Sequence, residues 1–392
     1  MPPPAEAALG SDDARTPSIR VLAAGFVVAP VVVVSVVLVL LIWGTSRRTA
    51  EALATSMTDH AGVMVAENVR EYLGEAVRVS DLYARRIEDG TLDVGDLESW
   101  KTPLLQDLTT SPDVASICFG ASDGRSVYLQ RAHGRLELGV GAGPGPDQCR
   151  EVQVAPDGTV LGPPLRVYQY DPTGRPWYAA ATGAGGATWT PVYFWFAGQS
   201  GDAVTGAGYA VPVRSRSAGT ALSGVLTVDV TISALSEYLK HIPVGEGGRL
   251  FITDAQGVLV AATEGGATAA SGERLTLERS GSAAARIIGP ALARTRPAPT
   301  SEPGAVGPGA LAPTQALRVR LEDGPARVAV TALTPFRGLD WRLVTVIPES
   351  SFMGEARSAL NRSLLVAGLA VVGAGLMGLS LSNRLAHPIM AL

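Results

Sequence analysis

The stretch YDPTGRPWY at 170–178 gathers ionisable and aromatic side chains in a chain that is only 6% aromatic. Arg175 precedes Pro176, and a proline pushes the residue before it toward extended backbone. Side chains two apart on an extended segment share a face, so Arg175 and Trp177 are expected to point the same way. Arginine presents a planar fork of donors matched to a carboxylate, and tryptophan adds an indole N–H beside it. The pair has the chemistry of an anion clamp.

An acid lies further along, in GVLTVDVTI at 224–232. Leu226, Val228, Val230 and Ile232 alternate as a core face, which sends Asp229 out of the opposite face with Thr227. Desolvating an unpaired carboxylate is costly, so Asp229 needs a partner. A ligand ammonium would serve. Arg175 and Asp229 would then grip the two ends of a zwitterion, with aromatic faces and hydroxyls between them. WTPVYFWF supplies more aromatics at Trp189, Tyr193, Trp195 and Phe196. On the residues alone a second account stays open, in which Arg175 and Asp229 pair with each other or with backbone and the aromatics are core.

The elements that must hold these residues follow from patterning. Residues 21–46, VLAAGFVVAPVVVVSVVLVLLIWGTS, and 363–383, SLLVAGLAVVGAGLMGLSLSN, carry no charge and are long enough for helices that cross a bilayer, which takes about 20 residues. The first is too long for the apolar part of a cleaved signal, so it is expected to stay as an anchor. Arginines flank both ends of each segment in similar numbers, so charge does not set the orientation. Beyond the first span, Val65, Val69, Tyr72, Ala76, Val79, Tyr83 and Ile87 recur in steps of three and four, one stripe of a long stalk helix. That stripe suits a domain edge or a dimer seam.

From Val114 onward the period shortens. Ser-Asp-Gly at 122–124 and Pro-Asp-Gly at 156–158 separate strand-like runs and predict antiparallel hairpins. After GVLTVDVTI, Thr231 or Ser233 is placed to cap a helix with Leu235, Tyr238, Leu239 and Ile242 on one side. A second module starts at GRLFITDAQGVLVAAT, with a hairpin about Asp254-Ala255-Gln256-Gly257, and ends at DWRLVTVIPES. Residues 265–314, rich in Gly, Ala, Pro and Thr, are expected to form a long mobile excursion that buries little. The fold expected is α+β, with two tandem PAS-like antiparallel-sheet modules on a long N-terminal stalk helix between two transmembrane helices.

Composition narrows the function. A net charge of −4 with 17% charged residues and no basic tract argues against a nucleic-acid partner. His60, His133, His241 and His387 are scattered and never meet a cysteine at metal-ligand spacing, so neither metal nor cofactor is expected. Cys118 and Cys149 are the only cysteines, and a disulfide and a pair of buried thiols are both open. No nucleophile elbow is present, and no catalysis is assigned.

With these motifs assembled, the chain resembles the double Cache family of bacterial extracytoplasmic sensors over about residues 20–392. The resemblance rests on YDPTGRPWYAAA, WTPVY, GVLTVDVTI and WRLVTVIPESSF, ahead of NRLAHPIMAL, which is similar to the opening of a HAMP linker. A subset that binds amino acids shares the pattern found here at Tyr170, Arg175, Trp177, Tyr178, Tyr193 and Asp229. The resemblance implies that Tyr170, Arg175 and Trp177 hold an α-carboxylate while Tyr178, Tyr193 and Asp229 hold an α-ammonium. Some members carry a further acid where this chain has Trp195, a change that weakens the ammonium site or shapes the pocket for an apolar or small amino acid. A different solute, such as an amine, a carboxylate or a purine, is the alternative.

The resemblance also implies an organisation. It comprises a cytoplasmic tail at 1–20, a span at 21–46, the stalk at 47–99, a membrane-distal module with the pocket at 100–245, a membrane-proximal module at 246–350, a second span at 363–383 and the start of a linker at 384–392. It implies a multi-pass receptor of the bacterial inner membrane with its large domain outside. Its partners would be a small-molecule ligand, a second copy in a homodimer, and a cytoplasmic signalling module in cis or in trans, for chemotaxis or another output such as a kinase, cyclase or phosphatase.

Overall fold

The computed structural model describes residues 19–132, 134–146, 148–195, 204–215, 221–269, 272–294, 313–333 and 336–386. Phe196, most of the expected tail and residues 387–392 of the linker motif lie outside them. The chain divides into two compact units, one of Met1–Leu53 with Phe352–Leu392 and one of Ala54–Ser351. Helix α1 (Ile19–Glu88) is 70 residues long and helix α6 (Ser350–Ala386) is 37. The first unit draws on both and holds the two charge-free segments. Val33, Val34, Val36, Val37, Leu40 and Leu41 are exposed there, as are Leu364, Leu365, Val366, Leu369 and Val372. Among the described residues no helix is long and apolar enough to cross a membrane.

The second unit contains two antiparallel sheets. Strands β1 (Ser116–Ala121), β2 (Ser126–Ala132), β3 (Arg135–Gly141), β4 (Cys149–Val154), β5 (Arg166–Tyr168), β6 (Thr188–Trp189), β7 (Tyr193–Phe194), β8 (Thr205–Val213) and β9 (Gly224–Thr231) make the first. Its order is β5-β4-β3-β2-β1-β9-β8-β6, with β7 paired to β8. The first and last of its long strands therefore meet at its centre, where Ser116 faces Asp229 and Cys118 faces Thr227. Strands β10 (Arg249–Thr253), β11 (Leu259–Ala262), β12 (Pro313–Leu321), β13 (Gly324–Ala332) and β14 (Arg342–Pro348) make the second, in the order β11-β10-β14-β13-β12.

One face of the first sheet and the stalk stripe share a continuous core. Val65, Val69, Tyr72, Ala76, Val79, Tyr83 and Ile87 are all buried there with Leu226, Val228, Val230 and Ile232. The stripe is thus a domain edge, packed within its own chain. Helix α1 ends at Glu88, short of the expected 99, and a separate helix α2 (Lys101–Thr110) follows a 3-10 turn at Leu97–Trp100. Gly90, at φ 85, leaves the helical region just past that end, where glycine pays least strain.

The turn chemistry behaves as the sequence dictates. Gly124 and Gly257 take positive φ, and Asp254 accepts from the amides of Gln256 and Val258. Thr231 caps helix α4 (Ile232–Lys240), its hydroxyl accepting from the Ala234 amide at 3.1 Å. The Pro-Asp-Gly turn closes only an isolated bridge between Val154 and Val160, and the strand that flanks β4 on the side away from β3 is β5. The expected excursion at 265–314 is corrected over its described part. Ala267, Leu277, Ala284, Ala285 and Ile288 are buried, the last three on helix α5 (Ala283–Arg294). Alanine-rich composition hid a helix whose small side chains let it lie close to its support.

Candidate ligand-binding site

The other face of the first sheet is occupied differently. Cys118, Tyr128, Cys149, Trp177, Tyr178, Ala181, Ala210 and Val225 form a separate, smaller cluster, with Tyr168, Tyr170 and Tyr193 against it. Helix α3 (Pro176–Ala184) lies over this face. Arg175 is extended at φ −80 and ψ 149, as the following proline requires, but it is the N-cap of α3, with Pro176 in the first turn. Trp177 therefore stands on a helix, which corrects the expected extended segment. Both side chains still face one cavity.

That cavity has a volume of about 50 Å³, and its lining brings together Tyr170, Arg175 and Trp177 with Tyr193, Trp195, Ser116 and Asp229. Cys118, Tyr128, Gln130, Arg166 and Tyr168 complete its wall. Tyr178, expected beside the ammonium, does not line it. Burial first, and then the charges of Asp171 and Asp123, raise its hydroxyl, and one step along a helix from Trp177 turns a side chain by about 100°. Trp189 also departs from the expected aromatic group. It lies in the opposite core, 5.7 Å from the Tyr209 ring and 6.0 Å from Phe336.

Asp229 is 3% exposed and projects from the core strand as its neighbours dictate. Its Oδ1 accepts from the Tyr193 hydroxyl at 2.9 Å and from the Thr227 hydroxyl at 3.1 Å. Burial pushes its carboxyl up to about 6, while hydrogen bonds from Tyr193, Thr227 and Ser116 and the charge of Arg175 pull the other way. Gly208 faces it across the β8/β9 pair, and a Cβ there would stand 2.1 Å from Asp229 Oδ1. The carboxylate occupies the space that glycine leaves.

Arg175 is held over the same space. One of its terminal nitrogens donates to the Phe194 carbonyl at 3.1 Å, and its guanidinium carbon lies 5.8 Å from the centre of the Tyr193 ring. Burial raises the Tyr170 and Tyr193 hydroxyls well above the ordinary phenol range, so both remain donors. The Trp195 indole N–H is buried and meets no acceptor among the described residues. Trp195 thus contributes a donor where a second acid would have contributed an acceptor.

Patterning does not single out Ser116, Tyr128, Gln130, Arg166 or Tyr168, and offers Cys118 as half of a disulfide or as a buried thiol, not as cavity lining. Ser116 with Cys118, Tyr128 with Gln130, and Arg166 with Tyr168 are each two apart on one strand, so each pair shares a face. Polar residues at alternate positions of apolar strands were the available signal. Cys118 and Cys149 are free and buried. Two strands separate β1 from β4, which disfavours the 7 Å Cα approach that a disulfide requires. Burial raises both thiols, leaving them neutral. Among the described residues, no group of His, Cys, Asp and Glu is arranged to hold a metal.

Comparison with known proteins adds the following. No family model matches the chain. A stretch of 91 residues, 23% of this chain, is 40% identical to methyl-accepting chemotaxis protein McpA of Pseudomonas putida, and it spans 13% of that protein's length. Among solved structures, the ligand-binding domain of the amino acid chemoreceptor PctB of Pseudomonas aeruginosa, in complex with L-Arg, is similar at TM-score 0.48 and 18% identity, covering 82% of this chain and 98% of that one. The ligand-binding domain of the Pseudomonas fluorescens chemoreceptor CtaA, in complex with L-isoleucine, is similar at TM-score 0.46 and 15% identity, covering 78% and 98%.

Proposed function

We propose that the chain is a bacterial transmembrane sensor whose first sheet binds a free amino acid outside the cytoplasmic membrane. The observation that carries this reading is that Arg175 and the buried Asp229, from distant parts of the chain, line one small cavity. Tyr170, Arg175 and Trp177 receive the carboxylate; Tyr193 and Asp229 receive the ammonium, with Thr227 holding the acid in place. A bound ammonium supplies Asp229 with the opposite charge that its burial calls for. Catalysis has no part in this reading.

Exposed apolar side chains along 33–41 and 364–377 support two membrane spans, because surfaces of this kind need an apolar covering. In this reading the unit Ala54–Ser351 faces outward, two copies associate, and the chain continues through a HAMP-type linker to a signalling module in cis or in trans. Ligand binding biases a two-state arrangement, and a tenfold population change takes only about 1.4 kcal/mol of differential affinity.

Trp195 favours one alternative, a carboxylate ligand without an amine, since its unpartnered N–H adds a donor to the cavity. Thermal-shift measurements on the full chain against amino acids and their deaminated carboxylates separate the two. Stabilisation by amino acids, lost in Arg175→Ala and in Asp229→Asn, supports the first reading. Stabilisation by deaminated acids that survives Asp229→Asn replaces it with the second.

A further inference from the structure

The far end of the cavity from Asp229 is a hydrogen-bonded wall whose protons can be accounted for. Glu151 is 1% exposed, and both its oxygens are engaged by Arg166, Oε1 with Nε at 2.8 Å and Oε2 with a terminal nitrogen at 2.7 Å. The Tyr128 hydroxyl donates to the same Oε2. Tyr128 reaches Glu151 because Gly139 lies between them on β3; a Cβ there would stand 2.1 Å from the Tyr128 ring. Tyr128 and Tyr168 share a hydrogen bond at 2.8 Å. Burial raises both hydroxyls well above the ordinary range, so each keeps one proton. The proton of Tyr128 is committed to Glu151. The proton of Tyr168 is left for Tyr128 or for the Cys149 sulfur, which is also within its reach, and in either case Tyr168 turns acceptor capacity to the cavity.

Charge and size narrow the occupant further. Arg166 on this wall is neutralised by Glu151, and Arg175 is balanced by Asp229 across the cavity. Gln130, also on the wall, spends an amide hydrogen on Glu137 at 2.9 Å, and Arg135 lies 3.4 Å from that acid. An added side-chain charge would be desolvated without an opposite charge to meet it. A cavity of about 50 Å³ that must also take the carboxylate and the ammonium leaves room for a short side chain only.

Resting on the proposed amino-acid reading, we infer that the ligand is an amino acid with a short, neutral side chain carrying a hydrogen-bond donor, received by Tyr168 at the wall it forms with Tyr128, Arg166 and Glu151. A methyl group in place of the donor would leave the cavity-facing lone pair of Tyr168 unmatched beside its bond to Tyr128.

Isothermal titration of the full chain with the isosteric pairs L-Thr and L-Val, and L-Ser and L-2-aminobutyrate, tests this. L-Thr and L-Ser are expected to bind about tenfold more tightly than their partners, with L-Asp and L-Lys weaker. Tyr168→Phe keeps the Tyr128–Glu151 bond and is expected to bring L-Thr down to the affinity of L-Val. Equal or tighter binding of L-Val, tighter binding of a charged amino acid, or a preference unchanged by Tyr168→Phe overturns the inference and leaves amino-acid sensing standing. The wild-type pairs decide the matter even if the variant does not fold. Binding of no amino acid removes the reading beneath it as well.

Discussion

Asp229 carries a cost that an ammonium ligand, as proposed, would relieve. Its carboxyl rises from 3.8 to about 6 with burial as the main cause, so the folded chain binds an extra proton between those values. Stability from this group is present below pH 4 and falls as pH rises to 6, the opposite of a salt-bridged acid. Two units correspond to about 3 kcal/mol. Asp229→Asn is therefore expected to raise the stability of the unliganded chain at pH 7.5 by up to about that amount, with the gap closing below pH 4, as read from urea unfolding at several pH values. The same variant is expected to lose binding of the proposed ligand. In the wild type, affinity for an ammonium ligand is expected to fall as pH drops through 6, where the acid protonates; a flat titration between pH 5 and 8 would separate Asp229 from ligand binding. Gly208→Ala places a Cβ within 2.1 Å of Asp229 Oδ1 and 2.3 Å of Thr227 Oγ1 and must displace the acid. Disturbing one partner of a buried charge pair costs about 2 kcal/mol or more, so the dissociation constant should rise at least roughly thirtyfold.

Elements that follow a simple period were legible in the sequence, and those that depend on a distant partner were not. The stripe from Val65 to Ile87 and the alternation from Leu226 to Ile232 each fix one buried face, and each is buried as the pattern dictates. Alternation also put Asp229 on the cavity side. The pattern could not show that β1 pairs with β9, which sets Ser116 beside Asp229, since register across the sheet is a long-range property. Proline gives the backbone of Arg175 but not the helix that starts there, and on that helix Tyr178 stands about 100° round from Trp177 and outside the cavity lining. Strand β5 has a mostly half-buried residue run and no apolar repeat, so Arg166 and Tyr168 gave little signal. Thr231 is a clear local device, and Thr231→Ala should lose about 1 kcal/mol by removing the cap on α4. Ile288, fully buried on α5, tests the corrected segment. Ile288→Ala is expected to cost about 2–5 kcal/mol, whereas a loose excursion would lose almost nothing in the same denaturant titration.

At the scale of the whole chain, one unit has a closed core and the helices of the other leave large apolar side chains uncovered. Leu38 is 52% exposed and Val372 60%, each within a charge-free segment. Water does not favour such surfaces in a continuous row, and a bilayer supplies the missing apolar contact. An arginine near the middle of a span costs about 2.5–3.5 kcal/mol by insertion scales, and two such substitutions in separate helices add if each helix spans. The unaltered chain is therefore expected to stay in the membrane pellet through alkaline carbonate extraction. Leu38→Arg combined with Val372→Arg should shift a large share to the supernatant, while Glu237→Arg on the exposed side of α4 should not. Amino-acid binding gives the control, because the cavity draws all its lining residues from Ala54–Ser351 and should keep its affinity in the doubly substituted chain. Full release of the unaltered chain by carbonate would remove the spans from the proposal and leave a ligand-binding unit whose exposed helices are covered by protein.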